Sequence, residues 1–217
     1  MPRRSLADCR LYTFLDTAYL GDRDPSDVAR ALVDGGSDLV QVRAKGRPLD
    51  EVRSLALAVA PILEASGVRL VVNDHPEVAA EVGAPVLHLG QEDFFDSGMT
   101  RVSEIRPLNP GTEVGLSTHA PDQCERAVRA GADYVAIGPV FATGTKPTAR
   151  PVTLDYVRWA AATVRIPWFA IGGVNEATLE SVLSAGARRI CVVSAILGAS
   201  DVTRACRRFR DAVEAAR

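Results

Sequence analysis

The sequence has 217 residues, of which 47% are hydrophobic and 24% are charged, and its formal net charge is −2. This composition is typical of a globular protein with a substantial core, and the charge excludes a broad basic surface of the kind that holds nucleic acid. The longest apolar run, 190–199, is too short to cross a bilayer. We see no secretion signal and no C-x-x-C pair among the four cysteines, so we expect a cytoplasmic protein with free thiols.

Short β-branched runs alternate with longer amphipathic segments along the chain. The predicted strands begin near Leu11, Asp38, Val68, Pro85, Thr112, Asp133, Pro167 and Arg189. The predicted helices span 25–34, 49–65, 77–82, 122–130, 153–163 and 176–184, with a closing helix over 201–216. This alternation predicts parallel strands joined by helices.

A short segment that contains glycine ends five of these helices and leads into the next strand. The glycines concerned are Gly36, Gly67, Gly83, Gly131 and Gly186. Glycine at such a position supplies the left-handed residue that ends a helix. The regular repeat predicts a single (β/α)₈ barrel over residues 1–217. An open doubly wound sheet is the alternative, which we disfavour because no G-x-G-x-x-G follows the first strand.

Catalytic and binding groups of such a barrel lie at the C-terminal ends of its strands. The second predicted strand ends in Gln41-Val42-Arg43-Ala44-Lys45, where alternation places Gln41, Arg43 and Lys45 on one face. Burying two cations there is costly unless an anion meets them, and both residue types bind phosphate. We therefore predict an anion site, the alternative being a solvated strand end.

The third and fourth strands end in acidic residues. Asp74 follows Asn73, and Asp93 follows the His88-Leu89-Gly90 run. Carboxylates from adjacent strands meet at one rim, and Mg²⁺ is commonly held by one or two carboxylates, waters and substrate phosphates. The alternative for Asp74 is a cap on the helix that begins near residue 76. We interpret His88 as an inward, hydrogen-bonded histidine and not as a ligand.

Hydroxyl groups follow the fifth and sixth strands. Ser117 is suited to donate to a phosphate or to a ring nitrogen, or else it caps the next helix. The later loop carries Thr143, Thr145 and Lys146, which suit a phosphate clamp, the alternative being a flexible surface loop. We disfavour a Schiff-base role for Lys146 because it lies well beyond the strand.

The seventh and eighth strands end in Gly172-Gly173 and Val193-Ser194. Barrels of this type bind phosphate at these two loops, and paired glycines let the backbone approach its oxygens; a tight turn is the alternative. The strand ends therefore predict two anion sites, one for a metal-bound diphosphate and one for a monophosphate. Two such sites favour group transfer between two phosphorylated substrates.

Several motifs at these strand ends match one family in the same order. They are Gln41 to Lys45, Val72 to Asp74, His88 to Asp93, Gly115 to His119, Gly138 to Pro147, Ala170 to Val174, and Val193 to Ile196. From Leu11 to Ile196 the chain resembles the thiamine phosphate synthase family. The resemblance implies a transferase that joins an aminopyrimidine methyl diphosphate to a thiazole phosphate, releasing pyrophosphate by a dissociative route.

The resemblance also implies a role for each site residue. The pyrimidine diphosphate would be bound by Gln41, Val42, Arg43, Ala44, Lys45, Asn73, Ser117 and Lys146, of which Arg43, Lys45, Ser117 and Lys146 would be catalytic. The thiazole phosphate would be bound by Thr143, Gly144, Thr145, Gly173, Val193 and Ser194. One Mg²⁺ per active site would be held by Asp74 and Asp93.

Three other functions remain open. Related barrels act as thiazole tautomerases or as regulatory proteins, although these tend to lose parts of the diphosphate and Mg²⁺ set. Another phosphate-binding barrel, such as an aldolase or a sugar-phosphate isomerase, would explain the last two loops but not Asp74 and Asp93 together with the cations. A sensor would bind phosphorylated ligands without turnover. The partners are small molecules, and the sequence leaves a homo-oligomer open.

Overall fold

A computed structural model of the chain describes residues 4–105, 110–144 and 150–216. Eight parallel strands follow in chain order around a closed barrel: β1 (Leu11–Asp16), β2 (Leu39–Arg43), β3 (Arg69–Asn73), β4 (Val86–Leu89), β5 (Glu113–Thr118), β6 (Tyr134–Ile137), β7 (Trp168–Ala170) and β8 (Ile190–Val192). The first strand pairs with both β2 and β8, which closes the sheet. The predicted (β/α)₈ barrel is confirmed, and the doubly wound alternative is wrong.

The described helices lie between and after the strands. They are α1 (Thr17–Leu20), α2 (Pro25–Asp34), α3 (Leu49–Ala65), α4 (Pro76–Glu81), α5 (Gln91–Asp96), α6 (Pro121–Arg129), α7 (Thr153–Thr163), α8 (Leu179–Ser184), α9 (Ser194–Leu197) and α10 (Val202–Ala215), with a 3-10 turn at Val102–Glu104. None of the helices in the described ranges is long and apolar enough to cross a membrane.

Most boundaries agree with the sequence predictions. Every strand begins within one residue of its predicted start, and α2, α3 and α7 have the predicted bounds. The prediction for α8 was wrong at its beginning, because the helix starts at Leu179 and not at residue 176. The side chain of Asn175 accepts hydrogen bonds from the amides of Ala177 and Thr178, which folds 175–178 into a turn before the helix.

The five predicted helix-ending glycines all adopt left-handed backbone angles. Their φ values are 89° at Gly36, 71° at Gly67, 63° at Gly83, 87° at Gly131 and 104° at Gly186. A residue with a side chain is strained at such angles, whereas glycine is not. These turns lie where each helix leads into the next strand, which is the end of the barrel opposite the strand C-termini.

Aromatic side chains fill the middle of the barrel. The Phe169 ring makes T-shaped contacts with Tyr12 and Tyr134, at centroid distances of 5.4 Å and 5.7 Å. Below this layer Asp38 is buried, pairs with Arg4 and Arg210, and accepts from the amides of Arg10 and Leu11. This ion-pair cluster lies at the N-terminal end of the strands, away from the strand ends predicted to bind a ligand.

Candidate active site

A cavity of about 990 Å³, including its open mouth, occupies the C-terminal end of the barrel. Eleven of the predicted site residues line it: Gln41, Arg43, Lys45, Asn73, Asp74, Asp93, Ser117, Thr143, Gly173, Val193 and Ser194. Val42 and Ala44 are buried and do not line it, and Gly144 is exposed beside it. Thr145 and Lys146 lie outside the described residues.

Arg43 is held in the cavity wall by a buried carboxylate. Its Nη1 lies 2.6 Å from Oδ2 of Asp16, whose side chain is 1% exposed. The two residues are direct partners in the pairing of β1 with β2. Part of the buried positive charge is therefore met by the protein itself, while Arg43 also lines the cavity. Lys45 is exposed at the rim, so the two predicted cations have different surroundings.

Asp74 has an unusual backbone and does not cap a helix. Its φ is +64°, in the left-handed region, and its amide donates to the carbonyl of His88 over 3.0 Å. The cap of α4 is His75, without a side-chain bond, so the alternative role for Asp74 as a cap is wrong. Its carboxylate lines the cavity instead.

Asp93 reaches the same cavity from the first turn of α5. Its carboxylate lies close over Gly90: a Cβ on that glycine would be only 2.5 Å from Oδ2 of Asp93. Among the described residues there is no cluster of three or more His, Cys, Asp or Glu side chains suited to a metal. A cation at this rim would therefore have two carboxylates from the protein, and water or ligand oxygens would complete its shell, which suits Mg²⁺.

Ser117 joins a line of hydrogen bonds that crosses the barrel. His88 Nε2 lies 2.9 Å from Ser117 Oγ, and His88 Nδ1 lies 2.9 Å from the hydroxyl of Tyr134. The cap of α6 is Ala120, without a side-chain bond, so Ser117 does not cap that helix. His88 is an inward, hydrogen-bonded histidine, as predicted.

The loops after β6 and β7 hold each other in place at the other side of the cavity. The amides of Val140 and Phe141 donate to the carbonyls of Ile171 and Gly172 over 2.8 Å and 3.0 Å. Gly173 has a φ of +66°, and a Cβ there would lie 2.7 Å from that of Phe141. Gly172 is equally tight, since a Cβ there would lie 2.4 Å from Cα of Pro139. The two glycines thus allow these loops to pack closely, and Thr143, Gly173 and Ser194 all line the cavity.

Sequence reasoning missed three residues that shape the cavity. Tyr12, Phe14 and Asp16 occupy alternate positions of β1, and Tyr12 and Phe14 line the cavity while Asp16 holds Arg43. The alternation in Leu11 to Asp16 was the available signal, since it places these three side chains on one face of the strand.

Residues 11–196 match the family model described as thiamine monophosphate synthase, TMP-TENI. The chain belongs to this family. One similar protein is the thiamine-phosphate synthase of Thermus thermophilus. It is 44% identical over 183 residues, which cover 84% of this chain and 85% of that protein. Another, from Caldicellulosiruptor saccharolyticus, is 34% identical over 205 residues, covering 94% and 90%.

One solved structure agrees with this family assignment, and a more distant one shares the fold. Thiamine phosphate pyrophosphorylase from Pyrococcus furiosus superposes with a TM-score of 0.84 at 29% identity, over 96% of each chain. A 3-hexulose-6-phosphate synthase superposes with a TM-score of 0.65 at 20% identity, which shows a shared fold alone. As a member of the thiamine monophosphate synthase family, the chain is an enzyme of the transferase class.

Proposed function

We propose that the chain catalyses the Mg²⁺-dependent condensation of an aminopyrimidine methyl diphosphate with a thiazole phosphate, giving thiamine phosphate and pyrophosphate. One observation carries the proposal. A single cavity is lined on one side by Arg43, Lys45 and the carboxylates of Asp74 and Asp93, and on the other by Thr143, Gly173 and Ser194. The first group suits a metal-bound diphosphate and the second a monophosphate.

The residues around the diphosphate would act by stabilising charge. Loss of pyrophosphate leaves a methyl cation that is conjugated with the pyrimidine ring, while negative charge builds up on the departing oxygens. Arg43, held by Asp16, and Lys45 would stabilise that charge in a partly buried site. When bound by Asp74 and Asp93, Mg²⁺ would neutralise further charge on the diphosphate. Lys146, from the loop after β6, belongs to the same proposed set.

The opposite wall would hold the second substrate in position. Thr143, Gly173, Val193 and Ser194, together with Gly144 and Thr145, would bind the phosphate of the thiazole, so that its ring nitrogen faces the cation. Asn73 and Ser117 would fix the pyrimidine ring. No general base is needed, because the thiazole nitrogen attacks with its own lone pair. Positioning and exclusion of water would then supply most of the rate enhancement.

The direct test is to incubate the purified chain with both substrates and Mg²⁺ and to measure thiamine phosphate and pyrophosphate. Equal amounts of the two products are expected, and chelation of the metal should stop their formation. Well-folded protein that binds a substrate but forms no product would contradict the proposal and favour a regulatory role. Interconversion of thiazole isomers would favour a tautomerase.

The metal site is tested by Asp93→Ala, with Asp96→Ala as the matched control, because both side chains are exposed on helix α5. The first change should lower kcat/KM at least about a hundredfold, since metal stabilisation of charge is worth several kcal/mol. Asp96 does not line the cavity, so its variant should match the unmodified enzyme. Circular dichroism should show both folded. Unchanged kinetics in Asp93→Ala would remove Asp93 from the metal site.

A further inference from the structure

A buried hydrogen-bond chain runs across the barrel beneath the cavity. It links five side chains from five strands, in the order Gln41, Tyr12, Tyr134, His88 and Ser117. The successive distances are 2.5 Å, 3.2 Å, 2.9 Å and 2.9 Å. Its first four members are buried, and all of its members except Tyr134 line the cavity.

A glycine makes the central link of this chain sterically feasible. In the sheet register Gly115 pairs with His88 on one side and with Tyr134 on the other. A Cβ on Gly115 would lie 2.0 Å from Cζ of Tyr134. Because this position has no side chain, the Tyr134 ring lies over the intervening strand and its hydroxyl meets Nδ1 of His88.

The donors and acceptors give the chain one direction. The Nε2 of Gln41 is an amide nitrogen, which only donates, so the Tyr12 hydroxyl accepts from it. Burial raises the pKa of both tyrosines, so each keeps its single proton. Within the described residues the Tyr12 hydroxyl bonds only to Gln41 and Tyr134, so Tyr134 is the one acceptor for its proton, and the Tyr134 hydroxyl bonds only to Tyr12 and His88. Tyr12 therefore donates to Tyr134, and Tyr134 donates to His88.

This direction determines the tautomer of His88 and the orientation of the serine hydroxyl. His88 accepts at Nδ1, so a neutral ring carries its proton on Nε2, which donates to Ser117 Oγ. Within the described ranges of the chain the Ser117 hydroxyl makes no other hydrogen bond. The proton of its hydroxyl is thus directed to the cavity, and Ser117 presents a donor there.

We propose that Gln41, Tyr12, Tyr134 and His88 are positioning residues that hold Ser117 as a hydrogen-bond donor, and that Ser117 recognises an acceptor atom of the ligand. The identity of this acceptor rests on the proposed function: it is a ring nitrogen of the aminopyrimidine and not the amino group. If these hydrogen bonds ran in the opposite direction, Ser117 would present an oxygen lone pair to the cavity and would select the amino group instead.

The first test measures the tautomer of His88 and does not require activity. Long-range nitrogen–proton NMR of the full chain labelled with ¹⁵N-histidine distinguishes the protonated ring nitrogen from the unprotonated one. Loss of signals in His88→Gln assigns His88 among the three histidines. A proton on Nε2 is expected in the unmodified chain, with a shift toward Nδ1 in Tyr134→Phe. A proton on Nδ1 in the unmodified chain, or an unchanged tautomer in Tyr134→Phe, would overturn the proposal.

The second test is kinetic and uses the removal of one hydroxyl. Tyr134→Phe should raise KM for the pyrimidine substrate about fivefold, the usual worth of one hydrogen bond, with a smaller change in kcat. Tyr156→Phe is the matched control, because this buried tyrosine bonds to Thr118 and Ala120 outside the cavity. Its KM should be unchanged.

A double variant separates positioning from general structural damage. In a Ser117→Ala background the further change Tyr134→Phe should have no added effect on KM, since the hydrogen bonds through Tyr134 and His88 then have no serine hydroxyl to orient. Fully additive effects would overturn the proposal. If Tyr134→Phe does not fold, the tautomer of His88 in the unmodified chain still decides the proposal. Absence of thiamine phosphate synthesis by the unmodified chain would instead contradict the proposed function, and the tautomer measurement would still decide the direction of the chain.

Discussion

Arg43 carries its charge inside the protein because Asp16 lies beside it. The carboxylate also accepts from the amide of Ala18 over 3.0 Å and caps the short helix α1. One acidic residue therefore serves both the start of a helix and the orientation of a ligand-binding cation. This double role makes Asp16 more important for the site than its position on the first strand suggests.

The charge of Asp16 is tested by Asp16→Asn, which preserves size and capping. Leaving Arg43 without its partner should lower the free energy of unfolding by about 3 kcal/mol, as for other broken buried ion pairs. Inorganic pyrophosphate with Mg²⁺ should then raise Tm more in the variant than in the unmodified chain, because the anion replaces the missing charge. Asp24→Asn, at the exposed cap of α2, is the control. Equal Tm shifts in both proteins would contradict this coupling.

At the scale of elements, the loops after β6 and β7 behave as one unit. Backbone hydrogen bonds join them, and Gly173 provides the space for Phe141 and for the carbonyl of Ala142, which would lie 2.9 Å from an added Cβ. A change in one loop should therefore move the other, and with it the wall proposed to hold the thiazole phosphate.

Gly173→Ala tests this coupling, and Gly131→Ala is its matched control. Both glycines have positive φ, at 66° and 87°, but an added Cβ on Gly131 meets open space. Each variant should lose about 1 kcal/mol of stability from left-handed strain. Only Gly173→Ala should raise KM for the thiazole substrate, because only it displaces the neighbouring loop. A similar rise in Gly131→Ala would show that the effect is unspecific.

The elements also show where sequence reasoning succeeds and where it stops. Strand starts could be predicted because a helix-ending glycine turn precedes five of the eight strands and because short apolar runs mark the strands locally. The short helices α1, α5 and α9, of four to six residues, have too few turns to show a period. The pairing of Asp16 with Arg43 depends on the register between strands, and the contact of His88 with Tyr134 depends on the space above Gly115. Neither is a property of one segment.

At the scale of the whole molecule, the four cysteines are free and buried. Burial raises the pKa of the Cys9 and Cys206 thiols from 9.0 to about 12, and that of Cys124 to about 11. The folded chain therefore keeps these protons at a pH where the unfolded chain releases them. It follows that the free energy of unfolding decreases as pH rises from about 9 to about 12.

Urea unfolding at pH 8 and pH 10 tests this expectation. The midpoint should be lower at pH 10, since the unfolded state then binds fewer protons than the folded state. Cys124→Ala should reduce the difference between the two midpoints, whatever its effect on stability at pH 8, because it removes one thiol whose pKa is raised in the folded state. Equal midpoints at both pH values in the unmodified chain would contradict the prediction.

The closed sheet also limits how this molecule can associate. Because β1 pairs with β2 and with β8, each strand has a neighbour on both sides, and the sheet has no open edge. A sheet without an edge offers no row of unpaired backbone groups to which another chain could add a strand. Edge-to-edge growth through the described strands is thereby blocked, so a homo-oligomer of this chain would use other surfaces.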